Sequence, residues 1–464
     1  MAGSGGDPSS EFEAALAWFV KDNRLPGAAA GVIFEDEVAW SGGAGYADTA
    51  TGMTADSATM FCVASITKTF TGTAIMQLRD DSRLRLDEPI ATFIPELRKA
   101  ALPSSEIDAV TVRRMLAHES GLASEPPGTD WTIPSYEGMA ARTLERIADI
   151  ATLIPPDQHP KYSNLAYQFL GEVVTRITGC PYAKYIENEI LTPLGMTATS
   201  FDPATGSLRG RRATGYAQRA FSDELDVIPA VPQMWAEGGL WSCVDDLATW
   251  IAFQMKAYRE DTQPAVLSGA SLREMHTPRY LDGSDWSQAW GLSWFSVRRD
   301  DVVWIQHSGA LPGFTSNICF DPDRQVGAIA LINGSGDASA LAMDLAAIAR
   351  RAVRAKPPRM RAPAPTPDEY RPLLGLYSKP SHSQVVRLEW RDSKLTFIDL
   401  QAPTWRLSLA PTDDPRVFIV EPGYRQSGEP VKFHQLPDGR IDSVFLADGT
   451  LQRLEHLTSL DQPV

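Results

Sequence analysis

Ser65 and Lys68 stand three residues apart in FCVASITKTF, residues 61–70, a stretch whose other members are mostly apolar or small. A free serine hydroxyl is a poor nucleophile until a neighbouring group takes its proton. On a helix, positions i and i+3 share a face, so Lys68 lies over Ser65. An exposed lysine, with a pKa of about 10.4, stays protonated at neutral pH and cannot take that proton. Among apolar neighbours such as Phe61, Val63, Ile66 and Phe70 the neutral amine is favoured and can accept one. A helix start here adds free backbone N–H groups and a positive dipole end, which suit an oxyanion forming beside Ser65. About one S-x-x-K is expected by chance in a chain of this length at ordinary residue frequencies. By itself the pair also fits a helix N-cap serine beside a solvated lysine.

Two more segments bear on that choice. HPKYSNLAY supplies Tyr162, Ser163 and Asn164. A tyrosine beside a lysine-activated serine can shuttle the proton to a leaving group. An asparagine two residues on can hold a substrate carbonyl or the lysine head. The plain alternative is a core tyrosine and an asparagine in a turn before a helix. IQHSGALPGF supplies His307, Ser308 and Gly309 at the end of a predicted strand. A small residue there lets a substrate backbone lie along the strand edge. The N–H of Ala310 could then complete an oxyanion hole with that of Ser65. The plain alternative is a strand ending in a turn.

The order of these segments resembles the serine β-lactamase and penicillin-binding-protein superfamily, of which S-x-x-K is a signature. The tyrosine form of the second motif looks like its class C branch, with that branch's esterase and D-aminopeptidase relatives. RRMLAHESGL, LTPLGMTATSF and AEGGLWSCVDDLATW are similar to further stretches of the same branch. The resemblance covers roughly residues 12–350. It implies Ser65 as nucleophile, Lys68 as its base partner and Tyr162 as general base and acid. It also implies Asn164 as a polar substrate contact and the His307–Ser308–Gly309 strand as the pocket edge. β-Lactamases of this branch usually carry lysine where His307 stands, a lysine that helps bind a substrate carboxylate. A histidine is mostly neutral near pH 7. An ester, amide or lactone therefore gains weight over a carboxylate-bearing antibiotic.

Other residues are read more plainly. No G-x-S-x-G occurs, which disfavours an α/β-hydrolase with a Ser–His–Asp triad. His118 is expected to bond backbone within LAHESGL. Glu237 is expected to be a solvated or backbone-bonded carboxylate, and Asp245 and Asp246 to cap a helix. Tryptophans 131, 235, 241, 286, 290, 294 and 304 are expected mostly in the core, with one or two lining an acyl pocket. Cysteines 62, 180, 243 and 319 are scattered without a C-x-x-C. They read as small buried hydrophobes, a disulfide remaining open.

These residues need a frame. EFEAALAWFVKDN puts Phe12, Leu16, Phe19 and Val20 on one helical face. AAAGVIFEDEVAWSGGAGYAD reads as two strands around a turn at Asp36, and ITKTFTGTAIMQLRDD as a largely buried helix. The middle, from about 80 to 300, is helical. Strands return from Asp301 to Asn333, and a helix follows. The expected fold is α/β of the α+β type: an antiparallel sheet flanked by helices, with an all-helical subdomain, over residues 1–355. A proline-rich linker spans 356–367. Residues 368–464 change to period two, with Asp-Gly and Asp-Ser turns, and read as a small antiparallel barrel or sandwich. The resemblance suggests a lipocalin-like β-barrel for them.

Composition bounds the rest. Of 464 residues, 43% are hydrophobic and 22% charged, a globular balance, and the formal net charge is −15. That charge disfavours nucleic acid and anionic membranes as partners. No stretch is apolar enough to span a bilayer. No leader is evident, so a cytoplasmic location is expected, although an exported chain that had lost its leader reads the same. No metal or organic cofactor is implied. The partner expected is a small-molecule ester or amide, in an acyl-enzyme mechanism ending in hydrolysis or acyl transfer. A D-amino-acid amidase or peptidase, a biosynthetic acyltransferase and a non-catalytic binding module are the rivals. Oligomeric state is not legible.

Overall fold

The run GAAAGVIF forms β1 (Gly27–Phe34), and EVAWSGGAGYAD forms β2 (Glu37–Asp48). Glu35 turns the chain between them with φ of 57°. Further strands follow in chain order: β3 (Met53–Thr54), β4 (Phe61–Cys62), β5 (Tyr216–Gln218), β6 (Leu225–Val227) and β7 (Trp241–Ser242). They continue with β8 (Tyr280–Asp282), β9 (Gln288–Trp290), β10 (Phe295–Arg299), β11 (Val302–Leu311), β12 (Phe314–Asp321) and β13 (Val326–Ile332). Nine of these make one antiparallel sheet in the order β3-β2-β1-β13-β12-β11-β10-β9-β8. The sheet closes from both ends of the domain because β1 pairs with β13, Ala30 opposite Ala330.

In this computed structural model the residues described are 8–100, 104–127, 143–202, 204, 208, 210–218, 224–228, 236–259, 266–282, 286–299, 301–353, 365–379, 385–391, 394–400, 406–421, 426–446 and 449–454. The chain divides into two compact units, Met1–Arg354 and Ala355–Val464.

Successive strand residues point to opposite faces, and both faces of the central strands β1, β12 and β13 are buried. Ala28, Ala30 and Val32 pack with Ala328, Ala330 and Ile332 against Phe12 and Leu16 of the helix Ser9–Asp22 and Leu341 and Leu345 of the helix Ala338–Ala352. Ala29, Ile33, Ile329 and Leu331 face the other way, toward the helices Thr67–Asp80 and Val244–Lys256. This second layer holds the main core. Phe70 stacks on Trp250 there, ring centroids 3.9 Å apart.

The helix Thr67–Asp80 is surrounded by protein on nearly every side, yet carries four buried threonines. Three of the hydroxyls donate to a carbonyl three or four residues back, Thr67 to Ala64, Thr69 to Ile66 and Thr73 to Thr69, while Thr71 donates to Ala236 O at 2.6 Å. That local bonding lets polar side chains sit in an apolar layer. Asp246 does not cap the helix that begins at Val244. Its carboxylate accepts Ala198 N and Thr199 Oγ1 at 2.8 and 2.7 Å, pinning a separate loop.

The second unit is a closed barrel of β14 (Gly375–Ser378), β15 (Val385–Arg391), β16 (Lys394–Asp399), β17 (Arg406–Pro411), β18 (Val417–Val420), β19 (Pro430–Gln435), β20 (Ile441–Leu446) and β21 (Gly449–Arg453). Tyr377 pairs with Arg453 to close it. Tyr377, Phe397, Phe418 and Phe433 fill its interior. Most of the proposed linker lies outside the described residues. Among the described residues no helix is long and apolar enough to cross a membrane. All four cysteines are free, and only Cys180 is not buried.

Candidate active site

Ser65 lies in a short 3-10 turn, Ala64–Ile66, between β4 and the helix Thr67–Asp80. β4 is held against β7, and Val63 N donates to Leu240 O at 3.0 Å. Ala64 takes φ of 47°, a left-handed conformation that costs a non-glycine residue energy. Thr67 Oγ1 donates to Ala64 O at 2.6 Å and accepts Leu240 N at 3.1 Å, holding that conformation from both sides. The turn presents Ser65 at the surface of a cavity while its neighbours stay buried.

β11 passes alongside this turn. Its pairing with β10 ends at Gln306, so residues 307–311 are bound to β12 on one side and, among the described residues, have no strand on the other. The Ser65 turn packs over the sheet face that Gly309 and Ser316 share. A Cβ on Gly309 would lie 2.2 Å from Val63 O and 3.0 Å from Ser65 N. Ser316 Oγ donates to the same Val63 carbonyl at 2.9 Å. The small residue at 309 therefore lets β11 approach the Ser65 turn. Ser308 and Ala310, two residues apart, direct their main-chain groups to the same edge. Ala310 and Ser65 both line the cavity.

Lys68 is fully buried. Its Nζ lies 3.1 Å from Ser65 Oγ, 2.7 Å from Asn164 Oδ1 and within hydrogen-bond reach of Glu237 O. Burial pulls its pKa down to about 7, against the opposing pull of Glu237 and Glu125. The Tyr162 phenol hydrogen-bonds Ser65, and its ring centroid is 4.9 Å from Lys68 Nζ. Burial pushes the phenol well above its ordinary value, so it stays protonated at neutral pH. Four residues expected from the sequence, Ser65, Lys68, Tyr162 and Asn164, thus come together. Of the two parts expected of it, Asn164 takes the second and holds the lysine head. Oδ1 faces Lys68 and Nδ2 donates to Glu125 Oε1 at 2.7 Å, so both ends of the amide are already engaged.

His307 is buried and donates Nδ1–H to Ser308 O at 2.7 Å. Burial, with Lys68 nearby, holds its pKa down at about 3, so the ring is neutral. His118 does not bond within its own segment. Its Nδ1 accepts Ser163 N at 3.1 Å, and its ring stacks under Tyr162 at 4.3 Å. Burial lowers its pKa too, and a neutral ring there steadies the loop that carries Tyr162. Glu237 is not solvated. It is 2% exposed, and Oε1 accepts Gln168 Nε2 at 2.8 Å. Burial raises its carboxyl pKa.

The cavity measures about 540 Å³. Glu125, His307 and Ser308 join the Ser65, Tyr162 and Asn164 group in its wall, and Trp290, Phe295, Leu311 and Pro312 supply apolar surface. Of the tryptophans singled out, Trp290 lines the cavity, Trp241, Trp294 and Trp304 are core, and Trp131 and Trp235 lie outside the described residues. Sequence reasoning missed Glu125 and Phe295. Glu125 follows closely on the HESGL stretch that carries the family resemblance, and that was the available signal. Among the described residues no group of three or more His, Cys, Asp and Glu is arranged to hold a metal.

A family described as Beta-lactamase matches residues 12–352. The chain is 27% identical over 346 residues to Protein flp of Staphylococcus aureus, covering 70% of this chain and 63% of that protein. It is 27% identical over 323 residues to Beta-lactamase-like protein 2 of Dictyostelium discoideum, covering 66% of this chain and 56% of that one. The chain thus spans less than two thirds of either relative. Among solved structures, the octameric penicillin-binding protein homologue from Pyrococcus abyssi superposes with a TM-score of 0.63 at 21% identity, over 95% of this chain and 99% of that one. A D-stereospecific amidohydrolase from Streptomyces superposes at 0.57 with 24% identity, over 72% of this chain and 97% of that one. At such identities these two likenesses concern the fold.

Proposed function

The chain belongs to the beta-lactamase family, and on that premise we propose that it is a serine hydrolase that forms an acyl-enzyme on Ser65 from an ester or amide substrate. The observation that carries this reading is the buried Lys68 amine 3.1 Å from Ser65 Oγ, with its pKa drawn down to about 7. Ser65 Oγ attacks the substrate carbonyl carbon, and its proton passes to the neutral Lys68 amine. The N–H groups of Ser65 and Ala310 receive the oxyanion. The tetrahedral intermediate collapses when the bond to the leaving group breaks, and the leaving atom takes a proton relayed from Lys68 through the Tyr162 hydroxyl. Water, or another nucleophile, then attacks the ester on Ser65 and releases the acyl group.

The raised phenol pKa favours Tyr162 as a proton relay and Lys68 as the base. The neutral His307 weighs against a preference for substrate carboxylates. A binding module that merely kept the fold would have no use for an ammonium stripped of water beside a hydroxyl, which favours catalysis. Hydrolysis of p-nitrophenyl acetate by the full chain, and its loss in Ser65→Ala, tests the reading. A Ser65→Ala protein that hydrolyses the ester as fast as the parent would refute it.

A further inference from the structure

Lys68 and Thr71 share a face of the helix Thr67–Asp80, and each holds a carbonyl of one short segment. Thr71 Oγ1 donates to Ala236 O at 2.6 Å, and Lys68 Nζ donates to Glu237 O. Further along the segment, Leu240 N donates to Thr67 Oγ1 at 3.1 Å. The segment therefore runs along the helix that carries the base. A second helix, Asn164–Thr178, presents Asn164 and Gln168, four residues apart on one face. Asn164 Oδ1 accepts Lys68 Nζ, and Gln168 Nε2 donates to Glu237 Oε1 at 2.8 Å. Side chains at that spacing stand about 5–6 Å apart, so the Glu237 carboxylate lies about one helical turn from the Lys68 amine. Thr143 Oγ1 donates to Gln168 Oε1 at 3.0 Å, which turns the amide N–H toward Glu237. The carboxylate is shut from solvent, and among the described residues the cation acting on it is Lys68.

We propose that Glu237 is a positioning residue for the Ser65 reaction, its buried carboxylate placing a counter-charge beside the Lys68 amine and so setting the pH at which that amine can take the serine proton. The proposal rests on Lys68 being the base for Ser65. Desolvation and a nearby anion act on an amine in opposite directions: the first expels its proton, the second retains it. Of the two acids that oppose burial at Lys68, Glu237 does so more than Glu125. Gln168 and Lys68 favour the ionised form of Glu237 against its own burial. The other titratable groups about the pair carry no charge. Burial keeps His118 and His307 neutral, and the phenols of Tyr162, Tyr167 and Tyr182 protonated. An amine with too low a pKa is a weak base, and one with too high a pKa is blocked at neutral pH. The carboxylate holds Lys68 between these limits.

The test follows fluorophosphonate labelling of the full chain against pH, with the adduct mapped by mass spectrometry and a thermal melt on each preparation. The parent midpoint is expected at about 7. Glu237→Gln keeps the shape and can still accept from Gln168, but carries no charge. Its midpoint should fall by about one pH unit or more, with a lower plateau because the amine is a weaker base. Glu237→Leu, similar in volume and also uncharged, should move the midpoint the same way, and it stands in if Glu237→Gln shows no folded melt. Glu237→Asp keeps the charge, and its midpoint should lie closer to the parent than to Glu237→Gln. A purely structural part would lower the rate at every pH and leave the midpoint in place. With the adduct still on Ser65, a midpoint unmoved or moved toward alkali in the uncharged variants, or Glu237→Asp matching Glu237→Gln, overturns the proposal. An adduct elsewhere, or a parent rate that rises only near the ordinary lysine value of about 10, would instead overturn the reading of Ser65 and Lys68.

Discussion

Three acceptors crowd the fully buried Lys68 amine: Ser65 Oγ, Asn164 Oδ1 and Glu237 O. Desolvation disfavours the charged form, and it draws the pKa of a side chain normally protonated at neutral pH down to about 7. An arginine keeps its charge under all such conditions. Lys68→Arg should therefore lower kcat/KM for p-nitrophenyl acetate by about 10³-fold or more, measured beside a thermal melt that reports folding. A variant within tenfold of the parent would argue against Lys68 as base. Ser65 and Lys68 were legible because one turn of helix fixes their relation locally. Tyr162 and Asn164 were legible as a short motif before a helix. Glu125 and Glu237 were not, since Glu125 meets Asn164 across 39 residues and Glu237 meets Lys68 across 169. Spacing in sequence carries no trace of such loop contacts.

The elements that matter most are the strained turn at Ala64 and the end of β11, pressed together at Gly309. A methyl group at 309 would collide with main-chain atoms, Val63 O and Ser65 N, which cannot rotate away. Gly309→Ala should cost about 1–3 kcal/mol of stability as an overpacked site. By moving the turn that bears Ser65 it should also lower p-nitrophenyl acetate turnover about tenfold or more. Urea unfolding and steady-state rates on the same preparation check both. A variant as stable and as active as the parent would mean the turn and strand are not coupled. The sequence made the strand end visible and marked its glycine as a close approach, but not what approaches. Asp246 shows a similar limit. Its position at a helix start suits a cap, and tertiary packing instead uses its carboxylate to hold residues 198 and 199.

At the scale of the molecule, the first unit and the barrel each enclose a separate hydrophobic core. We propose that each folds by itself. Residues 1–354 made alone should hydrolyse p-nitrophenyl acetate within a few-fold of the full chain; an insoluble or inactive fragment would contradict this. The change from helical spacing to strict alternation announced the second unit. Alternation reports one buried and one exposed face, so barrel and sandwich read alike until β14 is seen to pair with β21. The large sheet was legible in outline because its strands are apolar runs bounded by turn residues, while the substrate was not, since it depends on which side chains meet in the cavity. The account as a whole depends on the neutral Lys68 amine activating Ser65. The rate of covalent labelling by a fluorophosphonate, followed against pH with the adduct mapped by mass spectrometry, tests this most directly. Below its lowered pKa Lys68 holds a proton and cannot take another, so labelling should fall in acid and rise with a midpoint of about 7, at Ser65 alone. An adduct on another residue, or a rate that rises only near the ordinary lysine value of about 10, would contradict it.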